Sequence, residues 1–415
     1  MKKVAVIGGG ASGLMASVAA AKAGAEVVLI EHNDRIGKKI LSTGNGRCNF
    51  TNIRQEPACY HSGNPTYPWS VVERFQAQDI ISFFLELGIY SRNRNGYLYP
   101  NSDQARAVTD AFEMELARLG VEVRLKTECR GITPGRKGFT VTTGSGSLRA
   151  DRVILCTGSK AAPSSGSDGS GYDLAKSLGH RIVPVLPALV QLRCAERFFR
   201  SIAGVRAQGE VSVWSEGRCA ASDAGELQLT DYGISGIPVF QVSGCVSGLL
   251  YEKKEVTARL DFMPDFTEEQ MLSFLRVRRY VRPEKPSRMF LTGLFHQKLS
   301  DLWCRMAHIP PEKKAGELTE GDLAALAARI KRMETRITGT NSFDKAQVCR
   351  GGVDTRETDP ATMESLIVPG LYFAGELLDV DGICGGYNLT FAWSSGHAAG
   401  TAAASAAGNR KGGRP

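Results

Sequence analysis

The sequence predicts an α/β protein in which a domain with a parallel sheet is interrupted by a β-barrel and a small helical insert. Three observations predict this architecture. A short apolar strand, a glycine-rich turn, an alanine-rich helix and a second strand follow one another before residue 32. From about residue 189 the pattern changes to short strands separated by turns, which is typical of barrels and sandwiches. Strands near the C-terminus then resume the first pattern.

Length and composition favour a multidomain globular protein. At 415 residues, with 42% hydrophobic and 23% charged residues, the chain is expected to form two or three domains. No apolar run approaches the roughly 20 residues of a membrane span, and we expect a cytoplasmic protein. The ten cysteines contain no C-x-x-C pair and the six histidines are scattered, so we expect no metal site and cysteines that are mostly buried thiols.

The first 31 residues predict a dinucleotide site. Lys3–Ile7 is an apolar strand, residues 8–13 fit G-x-G-x-x-G, and residues 14–24 form a helix. Glu26–Ile30 is a second strand that ends at Glu31, whose carboxylate is expected to accept hydrogen bonds from a ribose. The glycines provide a tight turn, close approach to a pyrophosphate and close helix packing, while the helix N-terminus attracts phosphate.

Segments far along the chain favour FAD over NAD. Residues 152–158 are a strand that ends in Thr-Gly, and residues 370–376 are a strand that ends in Gly-Glu. Residues 381–388 then lead into a helix over residues 389–407. An NAD-dehydrogenase keeps its cofactor site within one contiguous half, whereas in two-dinucleotide-binding flavoproteins a late strand returns to the first domain. The following helix directs its N-terminus at the flavin pyrimidine, where its dipole stabilises negative charge.

A polar, glycine-rich loop over residues 33–52 directly follows Glu31 and is predicted to lie along the cofactor. Its free N–H groups, together with Lys39 and Arg47, suit pyrophosphate or flavin oxygens. An ordinary surface loop is the alternative. Cys129 follows a predicted strand at residues 122–128 and is expected to contact adenine through its backbone.

These arguments predict FAD bound non-covalently and name no catalytic residue. Tyr387 and Cys48 flank the inferred flavin and are considered as proton donors, although a structural role is favoured for both. The predicted cofactor-binding residues are Gly8, Gly10, Ala11, Ser12, Gly13, Glu31, Lys39, Thr43, Gly44, Arg47, Asn49, Cys129, Thr157, Gly158, Gly375, Glu376, Asp381, Gly386, Asn388 and Leu389.

The predicted domain organisation is discontinuous. Strands at residues 335–340 and 347–353 are expected to complete the barrel and lead back to the first domain. A basic run at residues 276–282 is interpreted as a solvated helix face, with an anionic-ligand site as the alternative. The predicted boundaries are 1–188 and 341–408 for the FAD-binding domain, 189–265 and 323–340 for the barrel, 266–322 for the helical insert and 409–415 for a disordered tail.

These motifs together resemble the BaiN-type bacterial flavoproteins, a family of NAD(P)/FAD-dependent oxidoreductases. The resemblance rests on residues 8–13, 42–52, 187–189, 231–238, 346–353 and 374–396, and the run Gly-Asn-Gly-Arg-Cys-Asn at 44–49 is specific to it. It implies an FAD domain with an inserted barrel that carries a helical insert. It also implies reduction of 3-oxo-Δ4,6 bile-acid intermediates or oxidation of an amine such as aminoacetone.

Three functions follow from this reasoning. The first is an NAD(P)H-dependent flavin reductase that acts on a conjugated small-molecule substrate. The second is a flavin oxidase of a small amine, and the third is an FAD-stabilised binding or RNA-associated protein. The third is not favoured, because residues 276–282 contain no recognised RNA-binding motif, and a nucleic-acid partner is therefore not expected. A membrane partner is not expected either. The substrate, the choice between NADH and NADPH, and the oligomeric state stay open.

Overall fold

A computed structural model describes residues 1–405, and these form two compact units. The first unit comprises Met1–Leu186 together with the segment that begins at Gln347, and the second is Pro187–Ala346. The predicted tail, 409–415, and the last predicted residues of the FAD domain, 406–408, lie outside the described residues.

The strands of residues 1–405 differ in length, and the two longest lie in the second unit. In chain order they are β1 (Lys3–Ile7), β2 (Glu26–Ile30), β3 (Thr51–Asn52), β4 (Tyr60–His61), β5 (Ser91–Arg94), β6 (Tyr97–Pro100), β7 (Glu122–Arg124), β8 (Cys129–Gly135), β9 (Gly138–Thr143), β10 (Gly146–Ala150), β11 (Arg152–Leu155), β12 (Ile182–Ala188), β13 (Leu192–Cys194), β14 (Arg206–Ser215), β15 (Arg218–Thr230), β16 (Gly233–Ser235), β17 (Thr257–Asp261), β18 (Met333–Thr340), β19 (Val348–Val353), β20 (Leu371–Phe373) and β21 (Asp381–Gly382).

The α-helices of residues 1–405 lie mainly between strands, and three of them follow one another in the second unit. In chain order they are α1 (Ala11–Lys22), α2 (Tyr67–Val72), α3 (Ala77–Glu86), α4 (Ala105–Arg118), α5 (Ser170–Ser177), α6 (Phe199–Ile202), α7 (Ile237–Tyr251), α8 (Glu268–Val281), α9 (Gln297–Met306), α10 (Glu320–Lys331) and α11 (Tyr387–Ala404).

A parallel sheet with the strand order β20-β11-β1-β2-β7 forms the centre of the first unit. Val4, Ala5 and Val6 are fully buried, as expected for a central strand that is covered on both faces. The late strand β20 joins the sheet beside β11 although more than 200 residues separate them in the chain. The predicted α/β fold with a returning C-terminal strand is therefore confirmed.

Helices α1 and α11 pack closely against each other because small residues line their contact. A Cβ built on Gly396 would lie 2.4 Å from the carbonyl oxygen of Ser12, and one built on Gly400 would lie 2.3 Å from that of Ala16. The two backbones are therefore too close for any side chain at these glycines. This packing brings the N-terminal turn of α1 beside the C-terminal helix of the unit.

The second unit contains a closed barrel with the strand order β13-β16-β15-β14-β17-β18. Neighbouring strands are antiparallel throughout, and the ends of the order meet where β13 pairs with β18. The barrel was predicted, but the expectation that residues 347–353 help to complete it was wrong. These residues form β19, which pairs with β12 outside the barrel.

Helices α8, α9 and α10 share one hydrophobic core with the barrel. Trp303 of α9 is fully buried and its ring contacts Phe262, which follows β17, with 5.2 Å between the centroids. The basic run at 276–282 binds groups within this unit. Arg276 pairs with Glu320 at 2.7 Å, and Arg278 donates to the carbonyl oxygen of Phe290 at 2.8 Å. Positive side chains of this run therefore already form ion pairs and hydrogen bonds within the second unit.

Asp354 stabilises the first unit through charged hydrogen bonds. It is buried and accepts from the guanidinium groups of Arg356 and Arg181 at 2.8 and 2.9 Å. The Arg356 hydrogen bonds hold the pKa of the Asp354 carboxyl below its usual value, with Arg181 acting in the same direction. The carboxyl is charged at lower pH in the folded than in the unfolded chain, so this stabilisation exists at neutral pH and is lost in acid.

We expect Asp354→Asn to lower the free energy of unfolding of the first unit by about 2 kcal/mol at pH 7, because charged hydrogen bonds are lost. The difference from wild type should begin to shrink as pH falls below about 4, where the carboxyl of the unfolded wild-type chain gains a proton, and it should disappear below the lowered pKa of the folded carboxyl. Urea unfolding at several pH values measures this. Asp173→Asn is the control, because the Asp173 side chain is 84% exposed. An equal loss at pH 7 and pH 3 would contradict the prediction.

Candidate functional site

The glycine-rich turn after β1 contains two glycines that the packing of the chain itself requires. Gly8 has a φ of +104°, and a Cβ built on it would lie 2.4 Å from the carbonyl oxygen of Cys156. A Cβ built on Gly13 would lie 1.8 Å from the carbonyl oxygen of Gly8. Both glycines therefore serve close packing between the turn, α1 and the end of β11.

Gly10 differs, because no contact within the chain requires a glycine at this position. A Cβ built on Gly10 would meet no atom within 4 Å, and its φ of −79° and ψ of −171° suit any residue. It is the N-cap of α1, which has neither a side-chain cap nor an acidic residue in its first turn. Open space in front of uncapped N–H groups fits a pyrophosphate.

Glu31 lies beside this turn in a fixed orientation. Its Oε2 accepts from the Gly9 N–H at 2.7 Å, and its Oε1 accepts from the backbone and side chain of Asn33 at 2.7 and 2.8 Å. An ionised carboxylate has about four acceptor positions, so capacity for a ribose hydroxyl remains. Thr127, two residues before Cys129, donates its N–H to the Glu31 carbonyl at 2.9 Å. This backbone hydrogen bond places the segment that leads into Cys129 beside Glu31, the two residues predicted to contact the adenosine part of the cofactor.

Cys129 itself is a half-buried thiol at the start of β8. Burial raises its pKa to about 11, so the thiol stays protonated at neutral pH. A protonated thiol is a weak hydrogen-bonding group, which is consistent with a contact made through the backbone alone.

The ends of β11 and β20 meet the polar loop at Glu376. Lys39 Nζ lies 2.6 Å from Glu376 Oε2, and the Ser159 hydroxyl donates to the same oxygen at 3.0 Å. Lys39 was predicted to face pyrophosphate or flavin oxygens, and here its ammonium is paired with a carboxylate. The sequence reasoning missed Ser159, and only its position just after Thr157 and Gly158 could have indicated it.

Ser12 links α1 to the returning strand. Its hydroxyl donates to the Ala374 carbonyl at 3.3 Å, and the Gly375 N–H donates to the Ser395 hydroxyl of α11 at 2.9 Å. Gly375 has a φ of +74°, and a Cβ there would lie 2.4 Å from Ser12 Oγ. Ala11, which begins α1, is adjacent to Ser12, and therefore three distant segments meet at the start of this helix.

The N-terminus of α11 adjoins a buried acceptor that has no donor. Within residues 1–405, Asn49 Oδ1 is buried without a hydrogen-bond partner, and a Cβ built on Gly386 would lie 3.0 Å from it. Gly386, the N-cap of α11, has a φ of +97° and provides no side-chain cap. Free N–H donors beside an unpaired acceptor fit the pyrimidine edge of a flavin, in which two carbonyl oxygens flank the N3–H.

The loop that contains Asn49 is held in place by contacts among its own residues. The Thr43 hydroxyl donates to the Ile40 carbonyl at 2.6 Å, and a Cβ built on Gly44, which has a φ of +56°, would lie 2.9 Å from the Asn49 nitrogen. The exposed Arg47 side chain has neither a hydrogen-bond nor an ion-pair partner in the part of the chain that the structure describes. Arg47 therefore stays available to a ligand.

Two predicted residues near α11 use their side chains within the protein. Asn388 accepts from the Gly382 N–H and donates to the Gly382 carbonyl, both at 2.8 Å, so only its backbone remains for a ligand, as for its half-buried neighbour Leu389. Asp381 is buried and its Oδ2 lies 3.2 Å from His61 Nδ1. His61 was not predicted, because the pairing of β4 with β21 cannot be inferred from sequence spacing.

Cys48 and Tyr387, the two residues considered as proton donors, lie in the core. Cys48 is fully buried, and burial raises its pKa to about 12. Tyr387 is 4% exposed, its ring packs edge-on against Tyr60, and burial raises its pKa. This burial is consistent with the structural role that was favoured for both.

The ten cysteines all lie within residues 1–405, and none of them forms a disulfide bond. Within the described residues no group of three His, Cys, Asp or Glu side chains is placed to hold a metal ion. None of the described helices has the length and apolarity needed to span a membrane.

Comparison with known proteins decides the family. The family described as "HI0933-like protein Rossmann domain" matches residues 2–402. The chain belongs to this family. It is also 44% identical to the 3-dehydro-bile acid delta(4,6)-reductase of Clostridium scindens over 97% of this chain and 99% of that protein. The ribosomal RNA dihydrouridine synthase of Escherichia coli is 31% identical over 94% of this chain and 95% of that protein. The corresponding synthase of Haemophilus influenzae is 30% identical over 95% and 96%.

These matches confirm the predicted resemblance to BaiN-type flavoproteins and the Rossmann-type nucleotide-binding domain. They also confirm that the protein is an oxidoreductase of the flavoprotein class.

We expect Asn49→Ala to weaken FAD binding by about tenfold, because a hydrogen bond to the flavin N3–H is worth about 1 to 1.5 kcal/mol. Titration of apoprotein with FAD and with its N3-methyl analogue measures this. The methyl group should weaken binding to wild type by a similar factor but add little to the loss in the variant. Asn101→Ala, at an exposed turn, is the control. Fully additive losses in the variant would contradict a contact between Asn49 and N3.

Proposed function

We propose that this protein uses FAD and NADH or NADPH to reduce a carbon–carbon double bond conjugated to a ketone, in a 3-oxo-Δ4,6 bile-acid-like substrate. The observation that carries the proposal is the 44% identity to 3-dehydro-bile acid delta(4,6)-reductase over nearly the full length of both chains. Identity at this level over both domains makes a shared reaction type the simplest interpretation.

The described residues fit the cofactor that this reaction needs. A fixed carboxylate at Glu31, open space at Gly10 and an unpaired acceptor at Asn49 would serve, in this order, the adenosine ribose, the pyrophosphate and the flavin pyrimidine. When bound, FAD supplies two-electron transfer between nicotinamide and substrate. No His or Cys is identified as a covalent anchor, and we propose that FAD is held non-covalently.

A second substrate class is favoured by a specific observation. Two relatives at 31% and 30% identity are ribosomal RNA dihydrouridine synthases. Formation of dihydrouridine reduces the C5–C6 double bond of uracil, which is conjugated to the C4 carbonyl. Both candidate reactions therefore add hydrogen across a carbonyl-conjugated double bond, and they differ in whether the substrate is a small molecule or an RNA. The higher identity favours the small molecule. Both kinds of relative favour reduction over oxidation of an amine.

The test begins with the flavin of purified protein under anaerobic conditions. We expect FAD to be recovered intact from the supernatant after heat denaturation, and NADH or NADPH to bleach the flavin absorbance. A 3-oxo-4,6-diene steroid acid should then restore the absorbance, with the saturated product identified by mass spectrometry. Unmodified ribosomal RNA and an amine such as aminoacetone are the comparison reactants.

Each result distinguishes between the candidates. Reoxidation by the dienone alone supports the proposal, and reoxidation by RNA with formation of dihydrouridine replaces it with the second candidate. Bleaching by an amine without nicotinamide would support the oxidase instead. Recovery of FMN or of NAD from the supernatant would refute the cofactor assignment.

A further inference from the structure

His61 and Asp381 form a pair that the cofactor site does not explain. His61 belongs to β4 and Asp381 to β21, and these two strands pair antiparallel with the two residues directly opposite. His61 Nδ1 lies 3.2 Å from Asp381 Oδ2. The Asp381 side chain is 7% exposed and that of His61 is 52% exposed. A buried carboxylate therefore orients an imidazole whose other nitrogen, Nε2, is free to face solvent or substrate.

The position of this pair connects it to the start of α11. Gly382, the second residue of β21, donates its N–H to the side-chain oxygen of Asn388 and accepts from the side-chain nitrogen of the same residue, which lies in the first turn of that helix. Tyr60, the neighbour of His61, packs edge-on against Tyr387 of the same turn. The imidazole is thus anchored to the segment that leads into the proposed flavin pyrimidine site.

The surroundings favour the protonated imidazole. The hydrogen bond to Asp381 raises the pKa of His61 above its ordinary value, against smaller opposing effects of burial and of the Arg350 charge. Asp379, two residues from Asp381, accepts from the Gly63 N–H at 2.9 Å, and burial raises the pKa of its carboxyl, so the orienting charge is assigned to Asp381. A carboxylate that orients a histidine and stabilises its charged form is the arrangement of a general acid.

We propose that His61 is the proton donor of the reduction and that Asp381 is its positioning residue. This inference rests on the proposed function. In the reaction, a hydride that originates from NAD(P)H forms the new C–H bond at the β-carbon of the conjugated double bond, and the π electrons move toward the carbonyl. The His61 Nε2–H bond then breaks, its proton forms the C–H bond at the α-carbon, and solvent returns a proton to the imidazole. NAD(P)H is oxidised to NAD(P)⁺ and the substrate gains two hydrogens.

The test separates the two halves of the reaction in holoenzyme. We expect His61→Asn to be reduced by NADH or NADPH within twofold of the wild-type rate, since that step needs no proton from His61. Reoxidation by the dienone should slow by about 100-fold or more, the usual contribution of a general acid. Reoxidation by ferricyanide, which needs no proton at carbon, should be unchanged. Asparagine can still donate to Asp381, so the strand pairing is preserved.

The pH dependence of reoxidation in Asp381→Asn tests whether Asp381 positions His61. The wild-type reoxidation rate should fall as pH rises through the His61 pKa, and in Asp381→Asn this fall should begin at lower pH because the stabilising carboxylate is gone. The control is His308→Asn in the second unit, where an exposed histidine has a φ of +55° that asparagine tolerates. Its rates should match those of wild type.

Other outcomes overturn the inference. Unchanged reoxidation of His61→Asn by the dienone, or an unshifted pH profile in Asp381→Asn, would exclude His61 as the donor. Loss of FAD or of the native melting transition in both variants would assign the pair a structural role. If neither the dienone nor RNA reoxidised the wild-type protein, the proposed function would be refuted and this inference with it. That outcome differs from failure of the inference alone, because wild type and His61→Asn would then be equally inactive with the dienone.

Discussion

Replacing Gly10 by valine is expected to leave the protein folded and to remove FAD binding. The position has a backbone conformation that valine adopts readily, and a Cβ there meets no protein atom within 4 Å. The valine side chain would instead occupy the space before the N-terminus of α1, where a pyrophosphate is proposed to bind. Overlap with a ligand that cannot move away from its N–H donors costs about 3 kcal/mol, which is at least a 100-fold weaker dissociation constant.

The measurement is FAD content and affinity together with thermal unfolding of the apoprotein. Gly339→Val is the matched control, because a Cβ on Gly339 in β18 of the barrel also meets open space. Both variants should melt close to wild type as apoproteins, and only Gly10→Val should lose FAD. Full FAD occupancy in Gly10→Val would show that the phosphates bind elsewhere. A large loss of apoprotein stability would show that Gly10 serves packing instead.

Gly13→Ala is expected to have the opposite consequence and to destabilise the first unit itself. The added methyl group would lie 1.8 Å from the carbonyl oxygen of Gly8, and neither can move without the backbone, because the oxygen belongs to it and the methyl group is bonded directly to Cα. Alanine gains about 1 kcal/mol over glycine in a helix, but a clash with backbone at this distance costs more than the 1–3 kcal/mol typical of overpacking. We therefore expect a net loss of more than about 2 kcal/mol, or no folded first unit.

Thermal unfolding and limited proteolysis of the apoprotein test this result. Gly321→Ala is the control, because Gly321 lies in the first turn of α10 and the nearest atom to its Cβ is Thr319 Oγ1 at 3.7 Å. That variant should be as stable as wild type or slightly more stable. If Gly13→Ala melted like Gly321→Ala, the proposed close approach between the turn and α1 would be wrong.

The two glycine variants also separate two interpretations of one motif. A glycine-rich turn in an ordinary α/β domain would need Gly8 and Gly13 for packing, but it would leave Gly10 without a reason. Because Gly10 is the one glycine of these three whose Cβ would meet open space, we expect its role to depend on a ligand. A pattern of glycines in the sequence cannot make this distinction, since the atoms that Gly8 approaches belong to Cys156, far along the chain.

Local features of this protein were determined by the sequence itself. The order β1, glycine turn, α1, β2 and Glu31 depends on apolar periodicity, glycine positions and helix propensity, which act over a few residues. The barrel strands in the second unit were recognisable for the same reason. The family-specific run Gly-Asn-Gly-Arg-Cys-Asn at 44–49 indicated the kind of oxidoreductase before any contact was known.

Tertiary structure alone decided which distant residues act together. Lys39 binds Glu376 instead of remaining available to phosphate, His61 faces Asp381, and β19 pairs with β12 and not with the barrel. A strand pattern specifies which side chains are buried but not which strand lies beside it, because any exposed edge offers the same backbone hydrogen bonds. The two ion pairs join residues more than 300 positions apart, and they form only because distant segments of the chain fold together within the first unit.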